Sequence, residues 1–176
     1  MGYCRLSSDF YTRWCSDSSE GLDADSIAFA LELIREAKYE RATFYERECP
    51  FTHTHEEWQA WAKNTDKLFF ILYRSDGTPL SMVWLDEFSA TNRQAFSHFC
   101  TFKTGEYSEF VQGGRQLLEF IGKSSCIMQV LGLTPACYRH ALKLADNLGY
   151  VRTALLKKAV LVHGKERDVI LTVRNL

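Results

Sequence analysis

The chain has 176 residues, of which 46% are hydrophobic and 14% are aromatic, so it is long enough and apolar enough to bury one core. Its 21 basic and 22 acidic residues leave a net charge of −1, which gives no reason to expect a nucleic acid or an acidic membrane as a partner. No run approaches the roughly 20 apolar residues of a membrane helix, and the N-terminus lacks a signal-peptide pattern. We therefore expect a single cytoplasmic domain over residues 1–176.

The cysteines and histidines do not form the pattern of a metal site. The six cysteines include no C-x-x-C pair, and several lie in apolar runs, where a thiol packs like a small hydrophobic group. His53 and His55 are spaced as an H-x-H pair, but they lie at a helix start without further ligands at a suitable spacing. We expect reduced, structural cysteines and no bound metal.

The first part of the chain predicts an arm followed by two helices. Residues 1–25 are small and polar with scattered aromatics, which predicts an irregular N-terminal arm. From Asp25 to Tyr45 apolar residues recur every three or four positions, the period of an amphipathic helix that ends before Pro50. Thr54 and Glu57 have the spacing of a capping box, which predicts a second, short helix.

Three strands are predicted next. Lys67 to Arg74 is a nearly continuous apolar run, and the turn residues Ser75 to Pro79 connect it to a second strand, Leu80 to Phe88. A third strand covers Ala95 to Lys103. Its alternation places His98 on the same face as Phe96, Cys100 and Phe102.

The second half predicts helix, strand, helix and two strands. A helix runs from beyond Gly105 to near Gly122, and a strand covers Ile127 to Leu133. A short amphipathic helix follows Pro135 and ends in the sequence NLGY, residues 147–150. A long strand through Val162 and a final strand from Asp168 to Arg174 flank a His-Gly turn.

This order of elements and the NLGY helix end resemble the GCN5-related N-acetyltransferases over roughly residues 50–175. The resemblance implies an α+β fold of three layers, in which helices flank a mixed, mostly antiparallel sheet, and it implies acetyl-coenzyme A as the cofactor. Compact, divergent members of this type occur in phage and prophage genomes. The coenzyme is a polyanion, and residues 103–176 carry 11 basic against 6 acidic residues. A basic second half suits the coenzyme, and a solvated surface explains it equally well.

In the family, a loop of the pattern Q/R-x-x-G-x-G/A binds the pyrophosphate of the coenzyme with backbone N–H groups at a helix N-terminus. Here Glu109 stands at the first position, Gln112 replaces the first glycine, and Gly114 matches the last position. The cofactor contacts that the resemblance implies are Phe102, Lys103, Thr104, Gly113, Gly114 and Arg115. The alternative is that Gly113 and Gly114 only loosen a helix start.

Acetyl transfer to an amine needs a base or a chain of water molecules that deprotonates the ammonium group. The candidates are Glu87, at the end of the second strand, and His98, because histidine is a residue type suited to proton transfer near neutral pH. The alternative is that Glu87 is a solvated strand end and that His98 is a hydrogen-bonded histidine in the core or at its rim. The tyrosine that serves as the general acid in many family members is replaced by Ala145, and Tyr138 is the candidate substitute.

Two functions follow from the resemblance. The first is an acetyl-CoA-dependent N-acetyltransferase that acts directly on a primary amine of a small molecule or peptide. The alternative is a non-catalytic binding or structural module of the same fold that has lost the usual pyrophosphate loop. An unrelated α+β domain with the same order of elements is a third hypothesis. The final strand could also pair across a homodimer.

Overall fold

The computed structural model describes residues 2–15, 24–36, 54, 56, 60 and 67–176. These residues include eight strands and three helices. In chain order they are β1 (Gly2–Arg5), β2 (Phe10–Cys15), α1 (Ala24–Glu36), β3 (Leu68–Arg74), β4 (Pro79–Ser89), β5 (Gln94–Thr101), α2 (Tyr107–Ser124), β6 (Gln129–Pro135), α3 (Arg139–Asn147), β7 (Val151–Val162) and β8 (Lys165–Asn175).

All eight strands belong to one sheet, in the order β1-β2-β3-β4-β5-β6-β8-β7. Every neighbouring pair is antiparallel except β5 and β6, which are parallel. The predicted α+β class, with a mixed and mostly antiparallel sheet flanked by helices, is therefore confirmed. The predicted strands and helices from residue 67 onward are also present, with shifted ends.

The predicted irregular arm is wrong for residues 2–15, which form the β1–β2 hairpin. Strand β2 pairs with β3 along its whole length, from Phe10 opposite Arg74 to Cys15 opposite Phe69. Buried Thr12 donates its hydroxyl hydrogen to the carbonyl of Ile71 at 3.1 Å, so a polar residue occupies an interior position. The pairing partner lies about sixty residues away in sequence, which local periodicity does not reveal.

The first predicted helix is confirmed over residues 24–36. Its predicted continuation to Tyr45 and the capping partner Glu57 lie outside the described residues. The expectation that the final strand pairs across a dimer is wrong for that strand, because β8 is bonded to β6 on one side and to β7 on the other. The outermost strand at this end of the sheet is β7.

The sheet is the middle layer between two cores, because alternate residues of its strands point to opposite faces. Helix α1 covers one face, where Ile27 and Leu31 pack with Phe69, Ile71, Met82, Trp84, Cys100 and Phe102. Helix α2 covers the other face. There Leu117, Leu118 and Ile121 pack with Phe70, Val83, Leu85, Ala95, Ile127, Val130, Leu148 and Tyr150.

Helix α2 packs closely because two consecutive glycines face its neighbours. A Cβ atom on Gly113 would lie 2.7 Å from Leu72, and one on Gly114 would lie 2.8 Å from Leu148. Both distances are too short for ordinary van der Waals contact. The two glycines therefore let α2 approach the sheet and the end of α3.

We expect Gly114→Val to destabilise the protein by roughly 1–3 kcal/mol, because the new side chain overpacks the contact with Leu148. Urea unfolding measures this free energy. Gln112→Val is the matched control, since it places the same side chain on the exposed side of the same helix. A Gly114→Val protein as stable as the Gln112→Val protein would contradict the packing role.

Candidate active site in a gap of the sheet

Strands β5 and β6 separate after a short parallel pairing. Only Gln94 to Phe96 pair with Gln129 to Leu131. Beyond this point β5 continues to pair with β4 as far as Thr101, and β6 continues to pair with β8 as far as Pro135. Both strands are thus held in place on their outer sides while a V-shaped gap opens between them.

A hydroxyl pair closes the narrow end of the gap. Ser97 Oγ donates to the carbonyl oxygen of Leu131 at 2.8 Å and lies 2.7 Å from the hydroxyl of Tyr150. Because the single hydrogen of Ser97 is used on Leu131, the Tyr150 hydroxyl donates to Ser97. Burial raises the pKa of Tyr150, so its phenol keeps this hydrogen. A side chain therefore bonds across the strands where the backbone ladder ends.

The gap holds a cavity of about 120 Å³. Strand β5 contributes Ser97, His98 and Phe99, and β6 contributes its last residues, 132–135. Helix α3 contributes one face at helical spacing, with Tyr138, Ala141, Ala145 and Leu148. Trp84 and His98 belong to the α1 side of the sheet, and Tyr150 belongs to the α2 side. The cavity is thus lined from both faces.

His98 has a fixed position in this cavity. Its Nε2 lies 2.9 Å from Oδ1 of Asp86, and its ring stacks on Trp84 with centroids 4.8 Å apart and planes 6° apart. The side chain of His98 is 38% exposed, which leaves it open to a ligand. The second candidate base, Glu87, is exposed in an irregular part of β4 and is not among the lining residues.

Tyr138 lies at the N-cap of α3 and lines the same cavity as His98. Burial raises the pKa of its phenol, so the group is protonated near neutral pH. Ala145, at the position of the usual family tyrosine, also lines the cavity. The structure therefore brings Tyr138 and His98 together around one space, without Glu87.

The predicted cofactor residues fall into two groups. The side chain of Phe102 is buried in the core beneath α1, while Lys103 and Thr104 are exposed in the loop that leads to α2. The Thr104 hydroxyl donates to the carbonyl of Pro79. These residues precede the N-terminus of α2 directly.

Gly113 and Gly114 lie in the second turn of α2, which begins at Tyr107. Within a helix their N–H groups bond to carbonyls four residues earlier, so they do not point out of the helix end. Arg115 is exposed, and its Nε donates to the carbonyl of Asn147 at 2.7 Å. The N–H groups without an acceptor inside the helix belong to its first turn, at Tyr107 and Ser108.

The Glu109 carboxylate, which alone would repel an anion, is neutralised by an arginine. Nε and Nη2 of Arg74 each donate to one carboxylate oxygen of Glu109 at 2.8 Å. The same carboxylate accepts the N–H of Glu106 at 2.8 Å. The hydrogen bonds from Arg74 lower the pKa of Glu109. The carboxylate is therefore held as part of an ion pair that fixes the start of α2 to the end of β3.

The described residues contain no group of three or more His, Cys, Asp or Glu side chains that could hold a metal ion. His53 and His55 lie outside the described ranges. None of the helices α1 to α3 is long and apolar enough to cross a membrane.

Solved structures of similar fold are acetyltransferases. The ribosomal-protein-S5-alanine acetyltransferase from Vibrio fischeri is 15% identical, with 99% of this chain and 97% of that chain covered and a TM-score of 0.73. RimL, a ribosomal L7/L12 α-N-protein acetyltransferase solved with coenzyme A, is 10% identical, with 99% and 98% covered and a TM-score of 0.77. Spermidine N-acetyltransferase from Vibrio cholerae, solved with CoA and spermine, is 13% identical, with 96% of each chain covered and a TM-score of 0.75.

No protein-family model and no curated protein sequence matches the chain. At these low sequence identities, the similarity to the solved structures shows the fold alone. The chain has the fold of the GCN5-related N-acetyltransferase superfamily, as its sequence predicted.

We expect Ser97→Ala and Tyr150→Phe to be non-additive in the free energy of unfolding. Ser97→Ala leaves the Leu131 carbonyl and the buried Tyr150 hydroxyl without their partner, at a cost of about 1–3 kcal/mol. In a Tyr150→Phe background the phenol is already gone, so the same change costs less. Urea unfolding of both single variants and the double variant gives the coupling energy. Strict additivity would show that the Ser97 and Tyr150 hydroxyls do not interact.

Proposed function

We propose that the chain is an acetyl-CoA-dependent N-acetyltransferase that transfers the acetyl group directly to a primary amine. The observation that carries this proposal is the gap between β5 and β6, because its cavity is lined from both faces of the sheet and contains His98. Two ligands can then meet through the sheet, one from each side. The presence of CoA in the RimL and spermidine N-acetyltransferase structures supports the proposal.

The residues around the gap fit the coenzyme. Backbone groups of β5 and β6 that no longer pair across the gap are suited to the amides of its pantetheine arm. For the pyrophosphate we assign the N–H groups of Tyr107 and Ser108, at the positive end of α2. These replace the N–H groups of Gly113 and Gly114, which are bonded inside the helix.

Charges near the helix start also fit an anion. Lys103 is exposed one turn before α2, and Thr104 lies next to it. Arg115 lines a groove along α2 together with Tyr107, Ser108 and Asn147. Glu109 adds little repulsion because Arg74 holds it in a bidentate pair. We assign Phe102 a packing role, since its side chain is buried.

Bound acetyl-CoA supplies an activated acetyl thioester. His98 takes a proton from the ammonium group of the acceptor, which frees the nitrogen lone pair for attack on the acetyl carbonyl. Tyr138 holds its phenolic proton near neutral pH and can give it to the departing thiolate. The nitrogen loses its second proton as the amide forms, and this proton restores the Tyr138 phenol, so the one proton released overall is the one that His98 accepts. Glu87 has no assigned step, because it does not line the cavity.

The alternative function is a non-catalytic module of the same fold. Ala145 in the cavity, and Glu109 and Gln112 in the loop pattern, are the observations that favour it. A module that has lost its coenzyme site would not bind CoA. Binding and turnover measurements therefore separate the two functions.

We expect CoA to bind in isothermal titration calorimetry and Tyr107→Pro to weaken that binding. Proline is compatible with the first helical position and removes only one N–H donor, and the extended backbone of Glu106 suits a following proline. Tyr107→Ala is the control, since it removes the same side chain and keeps the N–H. A hydrogen bond to a charged group contributes about 1.5–3 kcal/mol, so the proline variant should bind about 10-fold or more weakly than the alanine variant. Equal affinities would contradict the assigned donor.

We expect His98→Ala to reduce kcat about 10²- to 10⁴-fold while CoA affinity is unchanged, because only the base is lost. Thiol release from acetyl-CoA, measured with a panel of polyamines and peptides with free N-termini, gives the rate. Glu87→Gln should retain wild-type activity. If the wild-type protein acetylates none of these amines and does not bind CoA, the module is the correct function.

A further inference from the structure

We infer that Asp86 is the positioning residue of His98 and that Nδ1 of His98 is the ring nitrogen that receives the proton. No motif in the sequence marks Asp86 as a functional residue. The assignment of Nδ1 as the base rests on the proposed function, whereas the Asp86–His98 pairing rests on geometry alone. The two parts can therefore be tested separately.

Strand register explains how Asp86 reaches His98. In the β4–β5 pair, Trp84 lies opposite His98 and Asp86 lies opposite Phe96. Asp86 is thus two residues from Trp84 and on the same face, in a diagonal position to His98 that long side chains can span. The resulting distance from Asp86 Oδ1 to His98 Nε2 is 2.9 Å, within hydrogen-bond range.

The carboxylate determines which tautomer of the imidazole is present. An ionised carboxylate only accepts hydrogen bonds, so the nitrogen that faces it carries a hydrogen. That nitrogen is Nε2, and in the neutral ring Nδ1 then holds the lone pair. Asp86 is 19% exposed, half as much as His98, so the carboxylate is behind the imidazole with respect to solvent.

Trp84 supplies the second constraint on the ring. Stacking at 4.8 Å with nearly parallel planes fixes the ring plane, while the hydrogen bond from Nε2 to Asp86 fixes the rotation within that plane. A base that is already oriented needs less reorganisation when it reacts.

The irregularity after Asp86 explains why the neighbouring carboxylate does not take this role. The β4–β5 register shifts between Asp86 and Ser89, and Glu87 has a positive φ of 49°. A bulge of this kind redirects the side chains that follow it. Glu87 is consequently exposed, while Asp86, before the shift, keeps its regular pairing opposite Phe96.

During acetyl transfer, the proton from the acceptor ammonium would bind to Nδ1, and the amine would keep the electron pair that forms the new N–C bond. The C–S bond of the thioester breaks, and its electron pair leaves with the thiolate, which Tyr138 protonates in the proposed function. The imidazolium so formed carries one positive charge next to the negative charge of Asp86, and the Nε2 hydrogen stays where it is. Asp86 thus stabilises the protonated base without receiving the proton itself.

The pairing is tested by nitrogen NMR of the full chain with ¹⁵N-labelled histidine, at a pH where His98 is neutral. His98→Gln assigns the signals among the five histidines. We expect a single Nε2–H tautomer in the wild-type protein and in Glu87→Gln, the adjacent control. Asp86→Ala should give a mixture with Nδ1–H. A hydrogen on Nδ1 in the wild-type protein, or an Asp86→Ala spectrum identical to it, would overturn the pairing.

Kinetics test the catalytic consequence on Asp86→Asn, whose His98 tautomer is measured by the same NMR experiment. We expect Asp86→Asn to lower kcat about 10-fold or more, but less than His98→Ala does, with CoA affinity unchanged. Wild-type kcat in Asp86→Asn, with the tautomer altered, would show that Asp86 has only a structural role. A wild-type protein that acetylates no amine would overturn the proposed function and the role of Nδ1 with it, and the NMR result would still confirm or overturn the pairing.

Discussion

The separation of β5 from β6 is the constraint on which the site depends. A sheet normally cannot open in its middle, because the exposed N–H and C=O groups would lose their partners. Here β5 stays paired with β4, and β6 stays paired with β8. The Ser97 hydroxyl donates a hydrogen bond to the Leu131 carbonyl at the point where the β5–β6 backbone pairing ends. Tyr150 completes this arrangement from beneath the gap. The opening thus begins at a hydrogen-bonded pair of side chains, and the outer pairings hold the two strands beyond it.

The parallel direction of β5 and β6 determines what surrounds the opening. Because parallel strands end at the same edge of a sheet, α2 and α3, which follow them, both begin at the wide end of the gap. Two positive helix ends then face one region. The ion pair between Arg74 and Glu109 fixes the first turn of α2 in this position, and Gly113 and Gly114 let the helix pack closely.

The sequence predicted the order of elements from residue 67 onward because amphipathic periodicity and turn residues are local signals. It did not predict the β1–β2 hairpin, because the pairing of β2 with β3 is non-local and because a polar residue, Thr12, occupies an interior position of β2.

His98 was predicted as a candidate from its chemistry. Asp86 was not, because its contact follows from the β4–β5 register, and a bulge obscures that register in the sequence. The glycine pattern suggested a loop at residues 113 and 114, but the helix starts six residues earlier than Gly113, at Tyr107.

The loss of the usual tyrosine at Ala145 has a structural counterpart on the same face of α3. Tyr138, Ala141 and Ala145 are three and four residues apart, so all three line one side of the cavity. Small side chains at 141 and 145 leave space there, and the phenol of Tyr138 is the titratable group that this face presents. His98 lies on the other wall, on the α1 side of the sheet, held by Asp86 and Trp84. In the proposed function, His98 as the base and Tyr138 as the acid lie on opposite walls, which suits a reaction in which the acceptor enters from one face and the acetyl donor from the other. The proposed acid then lies about two helical turns before Ala145, on the same face of α3.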